Sequence, residues 1–161
     1  MAPTTDKEMM PRHLATRLAI FYAGYFLVGG VLFPFWPLLL EARGMGPEEI
    51  GLLLAVALWL RAAAGPVIAW QADRSGNPNR PLIACALAAL VVMPVFYWAE
   101  SFWPLLLASF IFYFAYSSIG PLAETISLRS VSADYGYGRV RLWGSVSFVL
   151  ASIAGGWLLD M

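Results

Sequence analysis

Residues 18–40 read LAIFYAGYFLVGGVLFPFWPLLL, a run of 23 residues without a charged side chain. At a rise of about 1.5 Å per residue, a helix of this length crosses the roughly 30 Å of hydrocarbon in a bilayer. Four further apolar runs follow, so that the five occupy approximately residues 18–40, 50–72, 82–98, 102–128 and 142–159. None alternates apolar with polar residues, as strands of a membrane barrel do. The sequence therefore predicts an all-α integral membrane protein with five transmembrane helices.

The overall composition points to the same class of protein. Of the 161 residues, 60% are hydrophobic and 12% are charged, whereas a soluble domain has about 45–50% apolar and about 25% charged residues. The ten basic and ten acidic residues balance to a net charge of zero, so no overall field attracts nucleic acid. We therefore expect the lipid bilayer, and not a nucleic acid, to surround this chain.

The distribution of basic residues predicts an orientation. Eight of them lie in segments that five consecutive spans place on one side: Lys7, Arg12, Arg17, Arg74, Arg80, Arg129, Arg139 and Arg141. Only Arg43 lies on the other side. Because positive charge stays in the cytoplasm, we expect a cytoplasmic N-terminus, with residues 1–12 as a tail and residues 13–161 as the transmembrane domain.

Prolines and small residues interrupt the apolar runs. Six prolines fall inside predicted helices, at Pro34, Pro37, Pro66, Pro94, Pro104 and Pro121. Each removes a backbone donor and can kink its helix, which suits a helix that moves or lines a cavity, although membrane helices also tolerate proline without such a role. The small residues at 62–65, and at Ser152, Gly155 and Gly156, predict close contacts between helices.

Arg61 is the clearest candidate functional residue, because it lies in the middle of the second apolar run. A charge at this depth costs at least about 2.5–3.5 kcal/mol on insertion scales. Its side chain is too far from either interface to reach the headgroups, so it must face water or a buried anion. We interpret Arg61 as part of a substrate or ion pathway. The alternatives are a structural ion pair and a locally distorted bilayer.

Glu124 and Arg141 form a second candidate group. Glu124 lies about one turn inside the fourth run, and Arg141 lies at the start of the fifth. Glu124 is a candidate proton-titrating carboxylate or arginine partner, and Arg141 could reach it if the two helices pack side by side. The alternative for Glu124 is a merely interfacial position. Between the second and third runs, Asp73 and Arg74 are candidates to lock neighbouring helices together, with a solvated turn as the alternative.

These motifs resemble those of the major facilitator superfamily. Asp73-Arg74-Ser75-Gly76, with Arg80 following, is similar to its conformational-lock loop, although Ala69 stands where the family has a glycine. Residues 25–38, residues 50–66 and residues 137–145 are similar to the phenylpropionate permease-like proton symporters, which are relatives of the lactose permeases. The resemblance implies cation-coupled uptake across the inner membrane by alternating access.

The resemblance also implies roles for individual residues. In lactose permeases, a glutamate of helix 4 and an arginine of helix 5 bind the sugar, and Glu124 and Arg141 occupy the matching positions with one residue fewer between them. If the substrate is an aromatic acid, Arg61 or Arg141 would pair with its carboxylate. The Gly155-Gly156-Trp157 sequence lacks the glycine-proline pattern that marks antiporters, which favours symport with a proton.

Complete members of this superfamily have twelve helices in two halves. Five helices correspond to part of the N-terminal six-helix half, so we expect a fragment of a transporter whose C-terminal half is missing. The alternative is a complete five-helix membrane protein that acts as an interaction or assembly partner. An enzyme is not expected, because the predicted spans contain no histidine, no paired aspartates and no metal-ligand cluster. The sequence accordingly predicts no catalytic residue, metal or cofactor.

Overall fold

The part of the chain that the structure describes folds into five long α-helices. The computed structural model describes residues 12–130 and 137–159. The helices are α1 (Arg12–Ala42), α2 (Pro47–Ser75), α3 (Asn79–Trp98), α4 (Phe102–Ser130) and α5 (Tyr137–Leu159). All five are long and apolar enough to cross a membrane. The predicted all-α membrane fold with five spans is therefore confirmed. Of the expected N-terminal tail, residues 1–11 lie outside the described residues.

Local sequence sets both ends of α2. Pro47 occupies the first helical position, where its missing amide hydrogen has no partner to lose. The Gly46 amide donates to Glu49 Oε2 at 3.1 Å, and this satisfies one donor at the helix start. The helix ends at Gly76, whose φ of 64° lies in the left-handed region that favours glycine. The chain can therefore turn sharply here and begin α3 at Asn79.

One compact unit comprises Trp36–Ile126 and contains α2, α3, the end of α1 and most of α4. Helix α2 buries a single stripe of side chains in this unit: Leu53, Ala57, Leu60, Ala64 and Ile68. Ile68 packs with Leu122 of α4, and partly buried side chains of α3 complete this contact. The three- and four-residue spacing of the stripe is that of one helix face, so most of the remaining α2 surface is left exposed.

Arg43 connects two turns of this unit. Its guanidinium donates from Nη1 to the carbonyl oxygen of Ala99 and from Nη2 to that of Tyr97 at 3.3 Å. These carbonyls belong to the end of α3, where the last turn of a helix lacks internal donors and carries partial negative charge. The α1–α2 turn and the α3–α4 turn therefore lie at the same end of this unit.

The other unit comprises Met1–Phe35 and Ser127–Met161, so that its described part contains most of α1 and all of α5. A Cβ added at Gly30 would lie 2.5 Å from the backbone oxygen of Phe148, and one added at Gly155 would overlap the ring of Phe35. Glycine at these two positions lets α1 and α5 approach closely, which confirms the predicted contact for Gly155. Gly65 of α2, by contrast, has no atom within 4 Å of an added Cβ.

Serine hydroxyls of α5 reinforce this contact. Ser147 Oγ donates to the carbonyl oxygen of Ala23, and Ser152 Oγ donates to that of Gly30, each at 2.9 Å. The bond from Ser152 lies where α1 lacks one backbone hydrogen bond. Pro34 has no amide hydrogen to give to the Gly30 carbonyl four residues earlier. The Ser152 hydroxyl, which also lies 3.0 Å from the Phe148 carbonyl oxygen of its own helix, can supply that donor from the neighbouring helix.

Candidate functional site

Arg61 is the middle residue of α2, fourteen residues from either end of the helix, or about 21 Å at the usual helical rise. Its side chain is exposed, although it follows directly after the buried Leu60. Among the residues that the structure describes, none forms a hydrogen bond or an ion pair with Arg61. Within the described part of the chain, the guanidinium therefore lies on the surface of α2 at the middle of the helix.

The surface around Arg61 is built largely from small side chains. Ala62 and Ala63 are exposed, and Gly65, one turn further along the same face, is only partly covered. Small side chains leave the backbone and the guanidinium accessible to a ligand or to another helix. This part of α2 can therefore accept water, an anionic group or a helix that carries a carboxylate.

Glu124 and Arg141 lie in different compact units. Glu124 belongs to α4, six residues before the helix ends, and its side chain is half-buried. Arg141 belongs to the first turns of α5 and is exposed. The pairing of these two residues stays a prediction.

The α2–α3 connection holds the residues of the predicted conformational-lock loop. The Arg74 guanidinium lies 5.4 Å from the ring centroid of Trp70, one turn earlier on α2, within the range of a cation–π contact. Gly76 ends α2 in the left-handed conformation, and Asn77 Oδ1 accepts a hydrogen bond from the Asn79 amide at 3.0 Å. The loop therefore fixes the backbone between the two helices.

Arg80 and Asp73 are the remaining residues of the predicted lock. Arg80 is exposed in the first turn of α3. The side chain of Asp73 lies outside the described part of the chain, so the predicted lock by Asp73 stays a prediction. Within the described residues, no group of three or more His, Cys, Asp or Glu side chains could hold a metal ion.

Sequence reasoning did not identify the polar contacts that join helices. Arg43, Ser147 and Ser152 all donate to backbone carbonyls, and a carbonyl acceptor leaves no mark on residue identity. A partial signal exists only for Ser152, because Pro34 leaves one carbonyl of α1 in need of a donor. A cluster of aromatic rings around Trp36 was also missed, since its members look like ordinary apolar residues in a membrane span.

Known proteins resemble this chain over nearly all of its length. The MFS_1-like family model matches residues 15–161. The "Probable 3-phenylpropionic acid transporter" of Escherichia coli (strain K12) is 36% identical over 151 residues, which cover 89% of this chain and 38% of that protein. The "Maltose permease" of Geobacillus stearothermophilus is 33% identical over 152 residues, which cover 91% of this chain and 38% of that permease. No solved structure gives a significant match.

The chain thus spans 38% of the length of each of these two curated relatives, both of which are named as transporters. The five apolar helices and this similarity together show a multi-pass membrane protein. The resemblance to the major facilitator superfamily that the motifs predicted is confirmed. Because the family model covers far more than half of its residues, this chain belongs to the MFS_1-like family of the major facilitator superfamily.

Proposed function

We propose that this chain provides part of a secondary active transporter of the inner membrane that takes up a small organic solute together with protons. The match to two transporters over about nine-tenths of the chain carries this proposal. One of these relatives is named for an aromatic acid and the other for a sugar, so these are the two solute classes to test. Alternating access would need the remaining helices of the transporter to complete the pathway.

Arg61 is the residue that we assign to the substrate or ion pathway. Its exposure at the middle of α2 supports this role, because a guanidinium facing hydrocarbon at this depth would be costly. An aqueous pathway or a bound carboxylate removes that cost. Guanidinium groups bind carboxylates through two parallel hydrogen bonds, so an aromatic acid would be held here more tightly than a neutral sugar.

We assign Glu124 and Arg141, each on its own helix, to the substrate or proton pathway. Glu124 offers a carboxylate that is half-buried in α4, and carboxylates inside membrane spans commonly serve as proton relays. Arg141 offers a cation on α5. Asp73, Arg74, Gly76 and Arg80 would form the conformational lock on the cytoplasmic side, where Arg74 is restrained by Trp70.

Uptake by proteoliposomes tests this function directly. Two preparations are compared: the 161-residue chain alone, and a full-length transporter that carries this chain as its N-terminal part. We expect the full-length protein to accumulate labelled 3-phenylpropionate or maltose only when a proton gradient is imposed, and to lose accumulation when a protonophore is added. The chain alone is expected to give no uptake, because it supplies only one wall of the pathway.

The same assay contains the results that would contradict the proposal. Accumulation by the full-length protein that is unaffected by the protonophore would rule out proton coupling. Saturable uptake by the chain alone would show that copies of it assemble into a complete carrier. Competition between the two labelled solutes decides which class of solute the site prefers.

A further inference from the structure

An aromatic cluster fills the unit Trp36–Ile126 near the end of α1. The ring centroid of Trp36 lies 4.8 Å from that of Phe96 of α3 and 6.4 Å from that of Tyr113 of α4, in edge-to-face arrangements. Phe96 in turn lies 5.6 Å from Phe112, which stacks on Tyr116 at 5.4 Å. These five rings join three helices through contacts that are favourable beyond the burial of their area.

Two buried polar atoms accompany this cluster. Trp36 is 1% exposed and Ser109 is 0% exposed. Neither Trp36 Nε1 nor Ser109 Oγ has a hydrogen-bond partner among the described residues. A buried polar group without a partner costs roughly 1–3 kcal/mol, and more than about 90% of such groups in proteins are paired. Both of these unpartnered atoms belong to the unit Trp36–Ile126.

One face of α4 carries both Ser109 and rings of the aromatic cluster. Ser109, Phe112, Tyr113 and Tyr116 follow the three- and four-residue spacing of one helix face. Helical side chains lean towards the N-terminus of their helix, so the ring of Tyr113 covers the turn that contains Ser109. Trp36 packs against that same ring. Trp36 and Ser109 therefore both adjoin the ring of Tyr113 within one unit of the chain.

We propose that Trp36 Nε1 and Ser109 Oγ bind one buried water molecule between α1 and α4. An indole N–H can only donate, whereas a serine hydroxyl can donate or accept, so the ligand must accept at least one hydrogen bond. Water does both. The near-complete burial of the two residues leaves no route for an organic solute, which separates this site from the proposed transport pathway at Arg61. The water would tie the proline-flanked end of α1 to α4.

A double-mutant cycle on the full chain in detergent tests this site. Trp36→Phe keeps an aromatic ring and removes the donor, and Ser109→Ala removes only the hydroxyl. If one water links the two groups, each variant lowers the melting temperature by about 2–4 °C, and the double variant loses little more than either single one. A dry site predicts the opposite for Ser109→Ala, because removing an unpaired hydroxyl leaves the melting temperature unchanged or raises it.

Matched controls separate this site from general packing effects. Ser118→Ala removes an equally buried hydroxyl of α4, but one that donates to the Phe114 carbonyl oxygen at 2.7 Å. Trp103→Phe removes the indole N–H of an exposed tryptophan. Ser109→Ala is expected to change the melting temperature by the same amount in either control background as in the parent chain. If Trp36→Phe fails to fold, Ser109→Ala alone still decides between a hydrated and a dry site.

A crystal structure grown in a lipid phase distinguishes water from direct contact. We expect a density peak within hydrogen-bond distance of both Trp36 Nε1 and Ser109 Oγ, and its loss in the Ser109→Ala variant. Additive losses of stability in the cycle, or a direct bond between the two side chains without a water, would overturn the proposal.

Discussion

Arg61 holds its charge at the centre of α2 with an exposed side chain, so the pathway role makes a sharp prediction for its replacement. In the full-length transporter, Arg61→Ala removes the donors for a substrate carboxylate. A hydrogen bond to a charged group is worth roughly 1.5–3 kcal/mol, so uptake should fall about tenfold or more. Expression should stay near normal, because removing a costly charge need not destabilise the bundle. Initial uptake rates and immunoblots measure the two effects.

Two further variants are compared with Arg61→Ala in the same uptake assay. Arg61→Lys keeps the charge but not the paired donors, so it should retain part of the uptake. Arg139→Ala removes an exposed arginine of α5 and should leave uptake close to the parent rate. If Arg61→Ala also transports at the parent rate, Arg61 is structural and the pathway lies elsewhere.

The prediction about proton coupling of uptake concerns Glu124. Glu124→Gln keeps the shape of the side chain but removes the group that can exchange a proton. If Glu124 takes part in coupling, uptake should lose most of its dependence on external pH, and accumulation against a gradient should stop. The control is Glu100→Gln, which changes an exposed glutamate in the α3–α4 turn. An unaltered pH profile in Glu124→Gln would assign this carboxylate to the membrane interface.

These ionisable positions could be identified from the sequence because charge is costly in hydrocarbon, so an arginine or glutamate within an apolar run needs a reason. Arg43 shows the limit of this reasoning. Its position in a turn predicts nothing specific, and only the structure shows that it donates to two carbonyls at the end of α3. Trp36 and Ser109 were also unpredictable, because their missing partners depend on packing.

At the scale of elements, the bond from Ser152 to Gly30 predicts a coupling between α5 and Pro34. Ser152→Ala should lower the melting temperature of the chain by roughly 1–2 °C, since hydrogen bonds between membrane helices contribute about 0.6 kcal/mol on average. Pro34→Ala restores the amide donor for the Gly30 carbonyl. In the Pro34→Ala background, Ser152→Ala should therefore cost much less.

Ser145→Ala is the matched control for this cycle, because Ser145 is an exposed serine of the same helix. Thermal unfolding followed by circular dichroism in one detergent compares all the variants. Equal losses from Ser152→Ala with and without Pro34 would mean that the hydroxyl does not replace the missing donor of α1.

The packing of the elements was much harder to predict than their existence. In an apolar stretch of 18 residues within each helix, 56% of the α4 stretch is buried, whereas only 11% of the α5 stretch is. Both helices have similar mean hydropathy, 1.6 in each case. In a membrane, a side chain that faces lipid is as apolar as one that faces protein, so hydropathy does not reveal which helix is covered. Small residues at 62–65 of α2 and at Ser152, Gly155 and Gly156 of α5 predicted close contacts, and Ser152 and Gly155 do lie against α1.

At the scale of the whole molecule, five spans were predictable because a bilayer imposes one length and one composition on every helix that crosses it. The family was predictable from motifs in residues 25–38, 50–66 and 137–145. The division of the chain into two compact units was not. It depends on contacts between residues far apart in sequence, such as Ser147 with Ala23, which no local pattern encodes.

The orientation of the chain is the prediction that tests the whole molecule. Arg43 bonds to Ala99, so the α1–α2 and α3–α4 turns share one end of their unit, as consecutive membrane spans require. That end carries four glutamates around Arg43, whereas Arg74 and Arg80 flank the α2–α3 turn. Because positive charge is retained in the cytoplasm, reporters fused after Gly76 should be cytoplasmic, and reporters fused after Gly44 or Asp160 should be exterior. The same compartment for the Gly76 and Asp160 fusions would contradict five spans, and a full reversal would contradict the charge rule alone.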